Sequence, residues 1–144
     1  MISSSENAPV IVAVDGSTPS IQALRKATEF AATLQTELLI ITCWKAPEFY
    51  NDAVHSNAEI FEEEAKQQQA TAIIKAFDSG CPVPARKRLT HGRPATELIK
   101  ASEHAQLLVL GTRGHGEFTS LILGSVSLEC IAHAHCPVLT VRAQ

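Results

Sequence analysis

Glycines at 111 and 114, followed after nine residues by Gly124-Ser125, stand behind the apolar stretch "LLVLG" in "LLVLGTRGHGEFTSLILGSVS". A glycine directly after a buried strand lets the chain take positive φ, and it lets a ligand approach main-chain N–H groups with no Cβ in the way. Gly111 and Gly114 suit that role. A helix starting at Gly124-Ser125 presents unpaired N–H groups and the positive end of its dipole, which together favour an anion. The hydroxyls of Ser125 and Ser127 add donors. The two turns would wrap a polyphosphate from both sides, and Asp15, after "VIVAV", ends another apolar run in the same way.

Two familiar phosphate loops do not fit. A P-loop needs GxxxxGK[ST], and no glycine here precedes a lysine; the dinucleotide fingerprint GxGxxG fails because Thr119 follows where the third glycine belongs. Arg113 and His115 sit in the loop and Arg93 at another strand end. Each is read first as solvated, with phosphate pairing as its alternative. Asp15 with Gly16 reads equally as an Asx turn or a cap for the following helix. "CIAHAHC", Cys130 to Cys136, resembles a metal site only superficially: His135 and Cys136 fall at a helix exit beside Pro137, and no second ligand pair exists. No metal is expected there. No nucleophile elbow or recognisable base supplies catalysis.

The elements that position these residues alternate. Strands are expected at Val10–Val14, Leu38–Trp44, Ala85–Gly92, Gln106–Gly111 and Pro137–Arg142, each apolar or bounded by turn residues. "ARKRLTHG" is the polar one, which suits an edge or a half-exposed strand. Helices are expected after "STPS", with Ile21, Leu24, Ala27, Ala31 and Leu34 on one face; at Ala58–Asp78; from Arg93 to Ala105; and from Gly124 to Ala134. Such β-α alternation with buried strands implies a parallel sheet with right-handed crossovers and helices on both faces, and ligands bind beyond the carboxyl ends of its strands.

At 144 residues, 45% hydrophobic and 19% charged, the chain suits one domain, expected over 9–144 behind a disordered tail at 1–8. The net charge of −3 is scattered and offers no basic face for nucleic acid or anionic lipid. No apolar run reaches the ~20 residues of a membrane span, and the start "MISSSENAP" lacks a signal-peptide pattern. A cytoplasmic location is expected, with Cys43, Cys81, Cys130 and Cys136 as free thiols.

The spacing G-x2-G-x9-G-[ST] after the fourth strand, with "VIVAVDGS", "HGRPATELI" and "HCPVLTVR" elsewhere, resembles the universal stress protein family of the ATP-binding type. The resemblance runs through nearly the whole chain past residue 8. It implies a flavodoxin-like, Rossmann-like three-layer α/β/α fold whose five strands run in the order 3-2-1-4-5. It implies ATP, with Mg or Mn, as ligand, and AMP or cyclic AMP as alternatives. Val14, Asp15 and Gly16 would lie against the nucleoside, with the Asp15 carboxylate near the ribose or a nucleotide-bound metal. The backbone at Cys43 would meet adenine, and Gly111, Gly114, Gly124, Ser125, Val126 and Ser127 would hold the phosphates. A homodimer through Pro137 to Arg142 follows from the same resemblance, and pairing would cover an otherwise exposed edge. Two departures stand out: Cys43 replaces an aliphatic residue, and Gln106 stands where aspartate is frequent. The implied function is a nucleotide-responsive stress module; a weak ATPase or autophosphorylating enzyme, and a nucleotide-free dimeric scaffold, are the alternatives.

Overall fold

The computed structural model describes residues 7–47, 58–112 and 123–142. Residues 1–6 of the expected tail, Gly114, Arg113 and His115 lie outside them. The elements in chain order are β1 (Val10–Ala13), α1 (Thr18–Leu34), β2 (Leu38–Trp44), α2 (Glu59–Ala76), β3 (Ala85–His91), α3 (Pro94–Ser102), β4 (Leu107–Gly111), α4 (Ser125–His133) and β5 (Val138–Val141). The five strands are parallel and lie in the order β3-β2-β1-β4-β5, as expected, with helices on both faces.

Strand alternation divides the apolar residues between two cores. Val10, Val12, Leu38, Ile40 and Val109 pack with Leu24, Ala27, Ala31 and Ala72 on the side of α1 and α2. Ile11, Leu39, Ile41, Leu108 and Leu110 pack with Leu98 and Cys130 on the side of α3 and α4. Three alanines, Ala23, Ala27 and Ala31, are fully buried on α1, and their small side chains let the helix lie close to the sheet. Leu34 does not share that face: it is 41% exposed, because α1 ends in the next residue, where Gln35 turns left-handed (φ 54°).

Helix boundaries follow tertiary needs that the periodicity does not carry. α2 stops at Ala76, before the expected Asp78, because Phe77 turns extended and tucks partly into the core. Arg25 of α1 donates to the Lys75 and Ala76 carbonyls at 2.9 and 3.2 Å, closing that helix end. α3 stops at Ser102, short of Ala105; the buried Ser102 hydroxyl donates to Ile99 O at 2.6 Å and accepts from His135 N at 2.9 Å. Order begins ahead of β1. The Ala8 carbonyl accepts from Thr36 Oγ1 at 2.9 Å and from Gln106 Nε2 at 2.7 Å. An aspartate side chain at 106 has no N–H to give, so the departure at Gln106 adds a clasp on the entering chain.

Both edges of the sheet match their sequences. β3 carries exposed Arg86, Lys87 and Arg88 along one edge, with Arg86 paired to Glu37 at 2.8 Å. Charged side chains of this kind discourage further strand pairing. β5 forms the opposite edge, and its four residues are half-buried.

Candidate functional site

β1 and β4 are neighbours, yet the chain leaves β1 toward β2 on the other side. This reversal of strand order opens a crevice at the carboxyl ends of the strands. A cavity of about 220 Å³ occupies it. Ala13, Val14, Ile41, Cys43 and Leu110 supply apolar surface from the strand ends, and Pro94 and Leu98 supply a wall from α3. Asp15, Ser20, Gly111, Gly124, Val126 and Ser127 complete the lining. Seven of the residues singled out in the sequence therefore meet at one place: Val14, Asp15, Cys43, Gly111, Gly124, Val126 and Ser127. Gly16 and Ser125 adjoin the lining without joining it.

Asp15 is held by the start of α1. Its Oδ1 accepts from Ser17 N at 3.0 Å and Ser17 Oγ at 2.5 Å, and its own N–H donates to Ser20 Oγ at 3.3 Å. Ser17 Oγ in turn accepts from Ser20 N at 3.3 Å, which caps α1. The Asx turn and the lining position thus coexist. Thr42 fixes the residue before: its buried hydroxyl donates to Val14 O at 2.8 Å, while Val14 N donates to Ile41 O at 2.9 Å.

Gly111 does not take the positive φ expected of it. Gly111 keeps a negative φ, unlike Gly16 (φ 87°), Gly80 and Gly92. Its bare face is filled by α1: an added Cβ would lie 2.7 Å from Pro19 Cβ and 2.8 Å from the Pro19 carbonyl carbon. Gly111 is therefore demanded by helix-on-strand packing rather than by positive φ. Gly16 needs its left-handed turn, and an added Cβ there would meet Gln68 Cγ of α2 at 2.8 Å.

Gly124 is the N-cap of α4, extended at φ −78° and ψ 170°, and its N–H donates to Thr112 O at 2.6 Å. That bond pins together the two ends of the segment between them. Lacking a side chain, Gly124 puts no capping oxygen on the first-turn N–H groups of α4. Ser127 departs from expectation. It is 3% exposed, and its hydroxyl donates to Gly111 O at 2.8 Å, so its proton is spent on the end of β4. The anion-facing donors available at this turn are the main-chain N–H groups and the exposed Ser125 hydroxyl.

Cys43 borders the cavity as a neutral wall. Burial first, then Glu97 and Cys130, push its thiol up from the ordinary 9.0 to about 12. Burial likewise raises Cys130 to about 11, and Cys130 packs in the core under α4. His135 lies 3.7 Å from Glu103. Among the described residues no three His, Cys, Asp or Glu side chains gather as metal ligands. Asp15 is the one carboxylate lining the cavity among the described residues.

Ser20, Ile41, Pro94 and Leu98 were not anticipated. Ser20 had a signal, as the third hydroxyl in "STPS", one turn from the capping Ser17; Leu98 had only its apolar character. Arg93 pairs with Glu129 of α4 instead of projecting freely into solvent. No helix among the described residues is long and apolar enough to cross a membrane.

A universal stress protein of Thermus aquaticus is 32% identical over 141 residues, covering 92% of this chain and 97% of its own. One from Mycobacterium tuberculosis is 31% identical over 137 residues, covering 95% of this chain but 46% of its own, so the chain spans about half of that longer relative. Among solved structures, a universal stress protein of Lactobacillus plantarum superposes with a TM-score of 0.80 at 18% identity, covering 94% of this chain and 97% of its own. A universal stress protein solved in complex with cAMP superposes at 0.60 with 25% identity, covering 96% of this chain and 98% of its own. The family model described as the universal stress protein family matches residues 6–142. The chain, with its 3-2-1-4-5 sheet and its cavity at the switch in strand order, belongs to the universal stress protein family.

Proposed function

We propose that this chain binds an adenine nucleotide in the cavity between β1, β2, β4 and α4, and that it acts as a nucleotide-responsive stress module in the cytoplasm. ATP with Mg or Mn is the leading ligand, and AMP or cyclic AMP the alternative. The observation that carries the reading is the convergence of an apolar slot (Val14, Ile41, Cys43, Leu98) with Asp15 and the side-chain-free cap of α4 in one crevice. Base in the slot, ribose at Asp15 and phosphates at the start of α4 is the arrangement this chemistry favours. The relative solved with cAMP supports an adenine ligand. The half-buried edge strand β5 supports a homodimer through Pro137 to Arg142. Equilibrium titration with ATP and magnesium, AMP and cyclic AMP tests the reading, alongside mass spectrometry of any nucleotide released on denaturation. Binding weaker than low millimolar for all three, with nothing released, would refute it.

One observation favours a second reading, a nucleotide-free scaffold. Pro19 and Gln68 account for the bare faces of Gly111 and Gly16 without any ligand. On that reading the titrations are silent while the dimer persists in sedimentation.

A further inference from the structure

Arg93, in the N-cap position of α3, reaches across to α4. Its Nη1 donates to Glu129 Oε2 at 2.9 Å and to Thr96 Oγ1 at 3.0 Å, while Nη2 donates to Glu129 Oε1. The fork-on-fork pairing fixes the plane of the guanidinium, and the same fork geometry suits phosphate oxygens. Each member of the pair is near a lining residue along the chain. Pro94 follows Arg93 in the chain, and Val126 precedes Glu129 by three residues on α4. Side chains on a helix lean toward its N-terminus, the direction from Glu129 of the turn that holds Ser125 and Val126. No side chain caps the N–H groups of that turn. Arg93 and Glu129 remain 53% and 37% exposed, and pairs so exposed are weak and exchange partners cheaply.

We propose that Arg93 is a specificity-determining residue of the nucleotide site and Glu129 its resting partner: a nucleotide with two or more phosphates draws the guanidinium away from Glu129, whereas a single or cyclic phosphate does not reach it. The inference rests on the adenine-nucleotide reading above. Glu129 is a competitor for the guanidinium, since a glutamate carboxylate is ionised at neutral pH and its two oxygens already hold both Arg93 Nη atoms. Asp15 lines the same cavity, so the compensating cation matters more for ligands that bring more negative charge.

The test is titration of the intact protein with magnesium ATP and with AMP, for the natural chain, R93Q, E129Q and K100Q. Lys100 pairs with Glu97 elsewhere on α3 and serves as the charge control. R93Q weakens ATP about twofold to fivefold and E129Q strengthens it by a similar factor, the range set by exposed ion pairs, with AMP unchanged in both. K100Q moves neither. Equal losses for ATP and AMP in both variants would make the pair a mere brace between α3 and α4, and an unchanged ATP-to-AMP ratio would also overturn the inference while leaving nucleotide binding standing. If the natural chain bound neither nucleotide, the nucleotide reading itself would fall and this inference with it.

Discussion

Replacing Gly111 by alanine separates packing from ligand approach. An added Cβ would lie 2.7 Å from Pro19 Cβ, 2.8 Å from Pro19 C and 3.0 Å from Pro19 O, where ordinary contact begins at 3.4 Å. The obstructing atoms belong mostly to backbone in the first turn of α1, so no side-chain rotation relieves them. Either α1 or β4 must move by about 0.7 Å at closest approach. Overpacking of this kind costs about 1–3 kcal/mol, and the reduced freedom of the unfolded chain returns about 0.4–1 kcal/mol. A net loss of about 1–2 kcal/mol is expected without ligand. With urea slopes of roughly 1–3 kcal/mol/M, the unfolding midpoint falls by about 0.3–2 M at unchanged slope. Gly80→Ala is the matched comparison: φ is +90° with nothing within 4 Å, so its cost is the backbone term alone, about 1 kcal/mol. Should Gly111→Ala leave the ligand-free midpoint unchanged and abolish only nucleotide binding, the packing account of this glycine would be wrong.

Three further outcomes follow from the same geometry. Gly124→Val keeps the fold, because φ −78° and ψ 170° suit any residue, but lowers ATP affinity by crowding the anion approach to α4; calorimetric titration beside a circular-dichroism melt checks both halves. Thr42→Val orphans the buried Val14 carbonyl of its hydroxyl donor and costs about 1–3 kcal/mol in urea unfolding, while Thr42→Ser, which keeps the donor, recovers part of it. Cys43 and Cys130 are neutral in the fold up to about 12 and 11, whereas unfolded thiols ionise near 9.0, so their contribution is complete below pH 9 and declines as pH rises above it. Unfolding midpoints across pH 8 to about 10.5 should therefore fall less steeply in Cys43→Val than in the natural chain, and parallel curves would contradict this.

What was legible in the sequence is what depends on near neighbours along the chain. The inner strands β1, β2 and β4 leave continuous apolar runs whose ends are marked by Asp15, Cys43 and Gly111 within a residue or two, and the polar edge strand β3 ends at Gly92. Because the strand ends form one rim in this topology, reading the ends amounted to reading half the cavity. The α3 wall was not legible, since nothing local distinguishes Leu98, which faces both core and cavity, from any other apolar residue on a helix. The glycines mark the same limit more sharply. At Gly111 the missing Cβ answers Pro19, 92 positions away in the chain but adjacent in space, and at Gly16 it answers Gln68. Ser127 shows why donor counting fails without coordinates, because a hydroxyl on the correct turn had already given its proton to Gly111. These facts share a direction. The residues spaced like a phosphate loop first assemble the crevice, through Pro19 against Gly111, Gly124 N against Thr112 O and Ser127 against Gly111 O. Among the described residues, the donors that this scaffolding does not consume are the N–H groups at the first turn of α4 and the Ser125 hydroxyl, with the Arg93 guanidinium held nearby on Glu129.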